Sequence, residues 1–125
     1  MKAILQISSV KVMVRGGGDL ASGVAWRLHQ SGFKVLITEI AAPLAVRRRV
    51  AFCEAVYDGQ STVEGVKAVL VEGPEQVSPV WEQGFIPLLV DPGAESRHAL
   101  NPEVIVDGIL AKKNLGTSAK DAPLV

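Results

Sequence analysis

Residues 10–23 read V-K-V-M-V-R-G-G-G-D-L-A-S-G, and the order of residue types in this stretch decides the fold. A β-branched strand breaks into three glycines and turns at once into a helix. A backbone can approach a pyrophosphate closely only where no Cβ intervenes. Gly16 permits the tight turn, Gly18 permits the approach, and Ala21 fills the third small position, where helix and strand pack closely. The run therefore fits G-x-G-x-x-A, the fingerprint of a dinucleotide-binding strand–turn–helix. The helix that follows has unpaired N–H groups and a partial positive charge at its start, which favour an anion there. Gly16, Gly17, Gly18, Asp19 and Leu20 are the expected cradle, with Gly18 expected at positive φ and Asp19 expected to cap the helix by accepting an N–H near Ser22.

Outward from the loop, Leu20, Val24 and Leu28 follow the i, i+4 spacing of a buried stripe, flanked by Ala21 and Ala25. Gly32 is placed for a left-handed stop. Residues 33–40, F-K-V-L-I-T-E-I, then read as a buried strand. Glu39 falls 21 residues after Gly18, close to the roughly 20-residue offset at which an acidic side chain meets the ribose hydroxyls of a dinucleotide. NAD or a related nucleotide is the expected ligand. The plainer alternative is a glycine turn that packs a helix onto a sheet, with Glu39 solvated.

Pro43 fits a helix start. Val46, Val50, Cys53 and Tyr57 lie on helical spacing, which places Cys53 in the core, and Asp58-Gly59 marks a turn. In a helix Arg47, Arg48 and Arg49 fan out over different faces. Arg48 or a neighbour is a candidate for a second phosphate, such as the 2′-phosphate of NADP; the alternative is a solvated basic face. Glu39 argues against a 2′-phosphate, since a carboxylate repels it. Arg15 could face the anion or pair with an acid. Strands are expected over residues 66–71, 86–90 and 104–106. A short helix over 75–83 has Val77, Val80 and Trp81 as its apolar face, with Pro79 kinking it or delaying its start to Ser78. A further short helix is expected over 109–115.

Strands alternating with helices imply an α/β fold of Rossmann-like type: a mostly parallel sheet with helices on both faces and the first strand central. Asp91 and Asp107 each end an apolar strand, where ligands of open α/β sheets bind. They are candidate ligand contacts; their alternative roles are turn formation before Pro92-Gly93 and helix capping before Ile109.

The chain has 125 residues, which suits one domain with a real core. Hydrophobic residues make up 48% and charged residues 21%, so the chain is not disordered. No apolar run reaches the ~18 residues of a membrane span, residues 1–9 lack a signal-peptide core, and the single cysteine excludes an internal disulfide. A cytoplasmic location is expected. Formal net charge is zero, which argues against nucleic acid as a partner. Residues 1–60 hold 8 Lys/Arg against 4 Asp/Glu and residues 61–125 hold 5 against 9, so the glycine loop lies in the basic half. No Ser-His-Asp order, zinc spacing or Walker loop is present. His29, on a surface face of the first helix, and His98 read as incidental. No catalytic residue and no metal site are assigned.

Several separated blocks are characteristic together: R-G-G-G-D-L-A-S-G-V-A-W-R-L-H-Q-S-G-F-K-V at 15–35, T-E at 38–39, P-L-A-V-R-R-R-V-A-F-C-E-A-V-Y-D-G at 43–59, T-V-E-G-V at 62–66, and V-D followed by A-K-K-N-L-G-T within 106–117. They resemble the accessory or maturation proteins of selenium-dependent molybdenum hydroxylases, over residues 10–125. That resemblance implies a Rossmann-like N-terminal domain of a longer protein. It also implies a role in maturing such a hydroxylase, as partner, and in handling a molybdenum-cofactor species or its selenium- and sulfur-bearing form. Residues 1–9 fall outside it. The rival readings are the nucleotide-binding domain of an NAD(P)-dependent oxidoreductase and a nucleotide-sensing regulatory domain. A homo-oligomer is the expected assembly.

Overall fold

A computed structural model of the chain describes residues 9–16, 18–41 and 51–107. The strands are β1 (Lys11–Arg15), β2 (Lys34–Glu39), β3 (Gln60–Val63), β4 (Val66–Val71), β5 (Ile86–Val90) and β6 (Val104–Asp107). The helices are α1 (Asp19–Gln30), α2 (Ala55–Asp58), α3 (Val77–Glu82) and α4 (Arg97–Leu100), with 3₁₀ turns at Phe52–Glu54 and Pro74–Gln76. All six strands form one sheet in the order β3-β4-β5-β2-β1-β6. Every neighbouring pair is parallel except β3 with β4. The fold is α/β of Rossmann-like type. The glycine motif led to the expectation of a central β1; among the described strands β1 instead lies between β2 and β6, next to the end of the order, because the chain leaves β2, skips a place to lay down β4, and returns to insert β5 beside β2.

The apolar strands are buried on both faces, as a parallel sheet covered by helices requires. Period-two alternation sorts their side chains into two cores. Val12, Val14, Val35, Ile37, Ile86 and Leu88 face α1 and the segment at 52–55, meeting Ala21, Ala25, Phe52 and Ala55. Met13, Leu36, Leu89 and Ile105 face α3 and the loop after β5, meeting Val77, Val80 and Ala94. The buried stripe of α1 is thus Ala21, Ser22 and Ala25. Val24 is exposed, and the side chain of Leu20 is not among those described. Small residues win the sheet-facing positions because they let the helix axis approach the strands closely.

α1 ends in a Schellman closure: Gly32 N–H donates to His29 O at 3.0 Å and Phe33 N–H to Leu28 O at 3.2 Å, with Gly32 at φ 102°. Cys53 is buried, as expected, but Tyr57 is exposed; Phe52, Cys53 and Ala55 are the buried residues of that turn. Pro79 goes with a late start of α3, at Val77, within one residue of the expected Ser78. It is the third helical residue, where its missing N–H would have no intrahelical acceptor. β3 was not expected from the sequence: Gln60-Ser61-Thr62 carries no apolar run. It pairs with β4 through a two-residue turn, Glu64-Gly65, both at positive φ. The helix expected from Pro43 through Tyr57 is not continuous in its described part: Ala51 is extended, at φ −123° and ψ 131°, and is followed by a 3₁₀ turn and the short α2; its part before residue 51 and the helix expected over 109–115 lie outside the described residues.

Candidate functional site

Parallel strands bring their carboxyl ends to one edge of the sheet. That edge gathers Arg15 and Gly16 from β1, Thr38 and Glu39 from β2, Val90 and Asp91 from β5, and Asp107 from β6. Arg15 is in register with both Thr38 and Asp107, and Glu39 with Val90. Sequence-distant candidates therefore converge: Gly16, Gly18, Glu39, Asp91 and Asp107 all stand at or just beyond the same edge. Gly17 and Arg48 lie outside the described residues, as do the side chains of Asp19 and Leu20.

The glycine turn divides its tasks differently from the expectation. Gly16 carries the positive φ, 99°, and its N–H donates to Thr38 O at 2.7 Å, which ties the turn to β2. Gly18 is extended, at φ −72° and ψ −169°, and is itself the residue capping α1. Asp19 is thus the first helical residue and not the cap. Ser22 N–H donates to Gly18 O at 2.8 Å, the first rung of the helix. The amides of residues 19–21 precede that rung, and a helix leaves such groups for an outside acceptor. Among the described residues, nothing lies within 4 Å of a Cβ built on Gly18. Ser22, buried on α1, accepts Phe52 N–H at 2.7 Å and so anchors the returning chain to the helix start.

Glu39 is 9% exposed, and its Oε1 accepts the N–H of Ile40 at 2.8 Å. It lines a shallow surface depression together with Thr38, Ile40, Asp91 and Pro92. Asp91 shares this depression but is occupied with its own loop: Oδ1 accepts Glu95 N–H at 2.9 Å and Oδ2 accepts Ser96 N–H at 2.8 Å. Its turn-forming role, one of the two weighed for it, is the one these bonds support. Arg15 is 1% exposed and donates from Nη2 to Pro92 O at 3.0 Å. It is a buried brace between β1 and the loop after β5. Asp107, its register neighbour, stands on the same sheet face.

Among the described residues no cluster of His, Cys, Asp and Glu is suited to a metal ion, and no helix is long and apolar enough to cross a membrane. His29 is half-buried, with Nε2 2.9 Å from Gly84 O at the opposite edge of the sheet. His98 is exposed on α4.

No family model matches the chain, and no solved structure matches it. Among curated proteins it is similar to YqeB of Escherichia coli (strain K12), described as uncharacterized: the two are 50% identical over 113 residues, which take in 90% of this chain. The match covers 21% of that protein, so the chain spans about one fifth of the length of its relative.

Proposed function

We propose that this chain binds a nucleotide, or another phosphate-bearing ligand, at the carboxyl edge of its sheet and serves the maturation of selenium-dependent molybdenum hydroxylases. One observation carries the ligand reading: the Gly16–Thr38 hydrogen bond joins the glycine turn to the strand that ends in buried Glu39. A phosphate-accepting helix start and a hydroxyl-accepting carboxylate then lie on adjoining strands. Gly18 provides open backbone, the first-turn amides of α1 provide donors, and Glu39 provides an acceptor. NAD or a related nucleotide fits this arrangement. The maturation role rests on the sequence resemblance alone, and a molybdenum-cofactor species enters through it.

Native mass spectrometry of the purified full-length protein tests the ligand reading, since a retained ligand identifies itself by mass. Loss of the gene is expected to lower selenium-dependent hydroxylase activity without lowering the amount of hydroxylase polypeptide. Unchanged activity would remove the maturation role. Glu39 at the end of β2 equally favours a second reading, the nucleotide-binding domain of an NAD(P)-dependent oxidoreductase. Hydride transfer from NADH to a carbonyl substrate by the full-length protein would establish that one instead.

A further inference from the structure

The described sheet ends sideways at β3, which pairs with β4 alone. The register fixes where its backbone groups point. Val63 and Val66 close the two-residue turn, Ser61 lies opposite Ala68, and Leu70 N–H donates to Gly59 O at 2.8 Å. Successive residues of an antiparallel strand turn their N–H and C=O groups toward the neighbouring strand and away from it by turns. Gly59, Ser61 and Val63 therefore turn theirs toward β4, and Gln60 and Thr62 direct theirs outward. Both residues are exposed, and among the described residues nothing bonds to these outward groups. The side chains of Ser61 and Val63 face inward: Val63 belongs to the first core, and Ser61 Oγ donates to Ala51 O at 3.2 Å.

An unpaired strand side is a template for another chain, and folded proteins guard it with lysine, proline or a bulge. β3 has none of these. Its residues are Gln, Ser, Thr and Val, and each pairs with one residue of β4 without a bulge. Its ends are fixed as well. Gly59 N–H donates to Ala55 O at 2.8 Å, and Trp26 Nε1 donates to Glu64 O at 3.3 Å. The strand is thus held in shape before anything pairs with it, which lowers the ordering cost of binding. Charge stands only just beyond the strand, where exposed Asp58 and Glu64 flank it. Two copies paired so that Gln60 of each meets Thr62 of the other would set Asp58 of each against Glu64 of the other. Like charges opposite one another are destabilising. The same flanks attract a strand that carries a cation at each end.

We infer that the unpaired side of β3 docks an extended segment of a partner protein, uncharged and β-forming in its middle and flanked on both sides by Lys or Arg. The segment lengthens the sheet by one antiparallel strand, with its backbone on Gln60 and Thr62 and its cations on Asp58 and Glu64.

The test uses the end-capped peptide Lys-Thr-Val-Thr-Val-Thr-Lys, which matches residues 58–64 in length. Added to the purified protein, it is expected to slow amide hydrogen exchange at Gln60 and Thr62, read by NMR. Ser61 and Val63 should change little, because their N–H groups already face β4. N-methylation of the alternate peptide amides that meet β3 should abolish binding, and methylation of the other set should not. That pair of peptides leaves the protein itself unaltered. Asp58→Asn combined with Glu64→Gln should weaken binding roughly tenfold, about threefold for each exposed ion pair lost. No protection at Gln60 and Thr62 would overturn the inference, as would equal affinity for a peptide with Glu in place of both Lys. Protection of the two amides that rises with protein concentration in the absence of peptide would also overturn it, by assigning this side of the sheet to a second copy of the chain.

Discussion

The two edges of the sheet are built on opposite rules. At the amino edge the chain satisfies itself. Trp81 Nε1 donates to Val35 O at 2.9 Å, Lys34 N–H to Val10 O at 3.0 Å, and Lys11 N–H to Glu103 Oε1 at 2.7 Å. The Lys34 and Lys67 ammonium groups lie 5.8 and 5.0 Å from the ring centroids of Trp81 and Phe85. At the carboxyl edge the usual sorting is reversed: Arg15, Thr38, Glu39 and Ser96 are buried, whereas Ile40 and Val90 are exposed. Burying polar groups and exposing apolar ones both work against stability. One edge is arranged for closure and the other for contact, and substitutions at the two edges should separate along that line.

The largest separation is expected from Gly18→Val. Gly18 has an ordinary φ, and among the described residues the new side chain meets no steric obstacle. It does replace a favourable helix cap with a poor one, at a cost of up to about 1 kcal/mol. The valine would occupy the approach to the helix start, so ligand response should vanish, a loss of more than about a hundredfold or roughly 2.7 kcal/mol. A thermal-shift titration with NAD, NADP and FAD checks this. An identical response in parent and variant would move the site away from the glycine turn.

Arg15→Met comes next. It keeps much of the side-chain volume but strips a charged donor from Pro92 O, and the cost should be about 2–3 kcal/mol. Urea unfolding should show a lower midpoint at unchanged slope. If stability holds while ligand affinity falls, Arg15 contacts the ligand and is not a brace.

Glu39→Ala separates a ribose site from a plain phosphate site. Two charge-assisted hydrogen bonds of roughly 1.5–3 kcal/mol each make a tenfold to hundredfold loss for NAD reasonable on the order of magnitude. Inorganic phosphate should be little affected, and discrimination against NADP should relax. Because Glu39 also accepts Ile40 N–H, Glu39→Gln is the companion variant, retaining that acceptor. Equal losses for NAD, NADP and phosphate would mean that Glu39 supports the fold instead.

The difference between the edges also explains what could be read in the sequence. β5 is an uninterrupted apolar run, and β1, β2, β4 and β6 are nearly so. Long burial on both faces writes itself into composition, so their positions were legible. So was the convergence of Gly16, Glu39, Asp91 and Asp107 on one edge, which follows from parallel connectivity. β3 was not legible by hydrophobicity, since an edge strand with a half-exposed face needs none; its signal was the turn, Glu64-Gly65 between Val63 and Val66. The place of β1 was hidden too, because skipping a strand position depends on how the crossover segments pack and leaves no local mark. Neither the Arg15 brace nor the saturation of Asp91 is visible in spacing, since both depend on the path of the loop after β5.

Asp91 provides the smallest and most local contrast. Its carboxylate receives two backbone N–H groups, from Glu95 and Ser96, and so shapes the loop that forms one wall of the depression. Asp91→Asn keeps one acceptor oxygen and turns an amide toward the other N–H, which loses one bond. The expected cost is about 1 kcal/mol, seen as a small drop in the urea midpoint. Ligand affinity should change by less than about threefold, under 0.7 kcal/mol, because the loop persists on its remaining bond and on Arg15. Asp91→Ala removes both bonds and should cost about twice as much stability, with a larger fall in affinity as the wall loosens. The two variants therefore grade together if Asp91 acts through the loop. A tenfold loss of affinity in Asp91→Asn at nearly parental stability would instead make Asp91 a ligand contact, and the depression would then hold two working carboxylates where the hydrogen bonds now assign one.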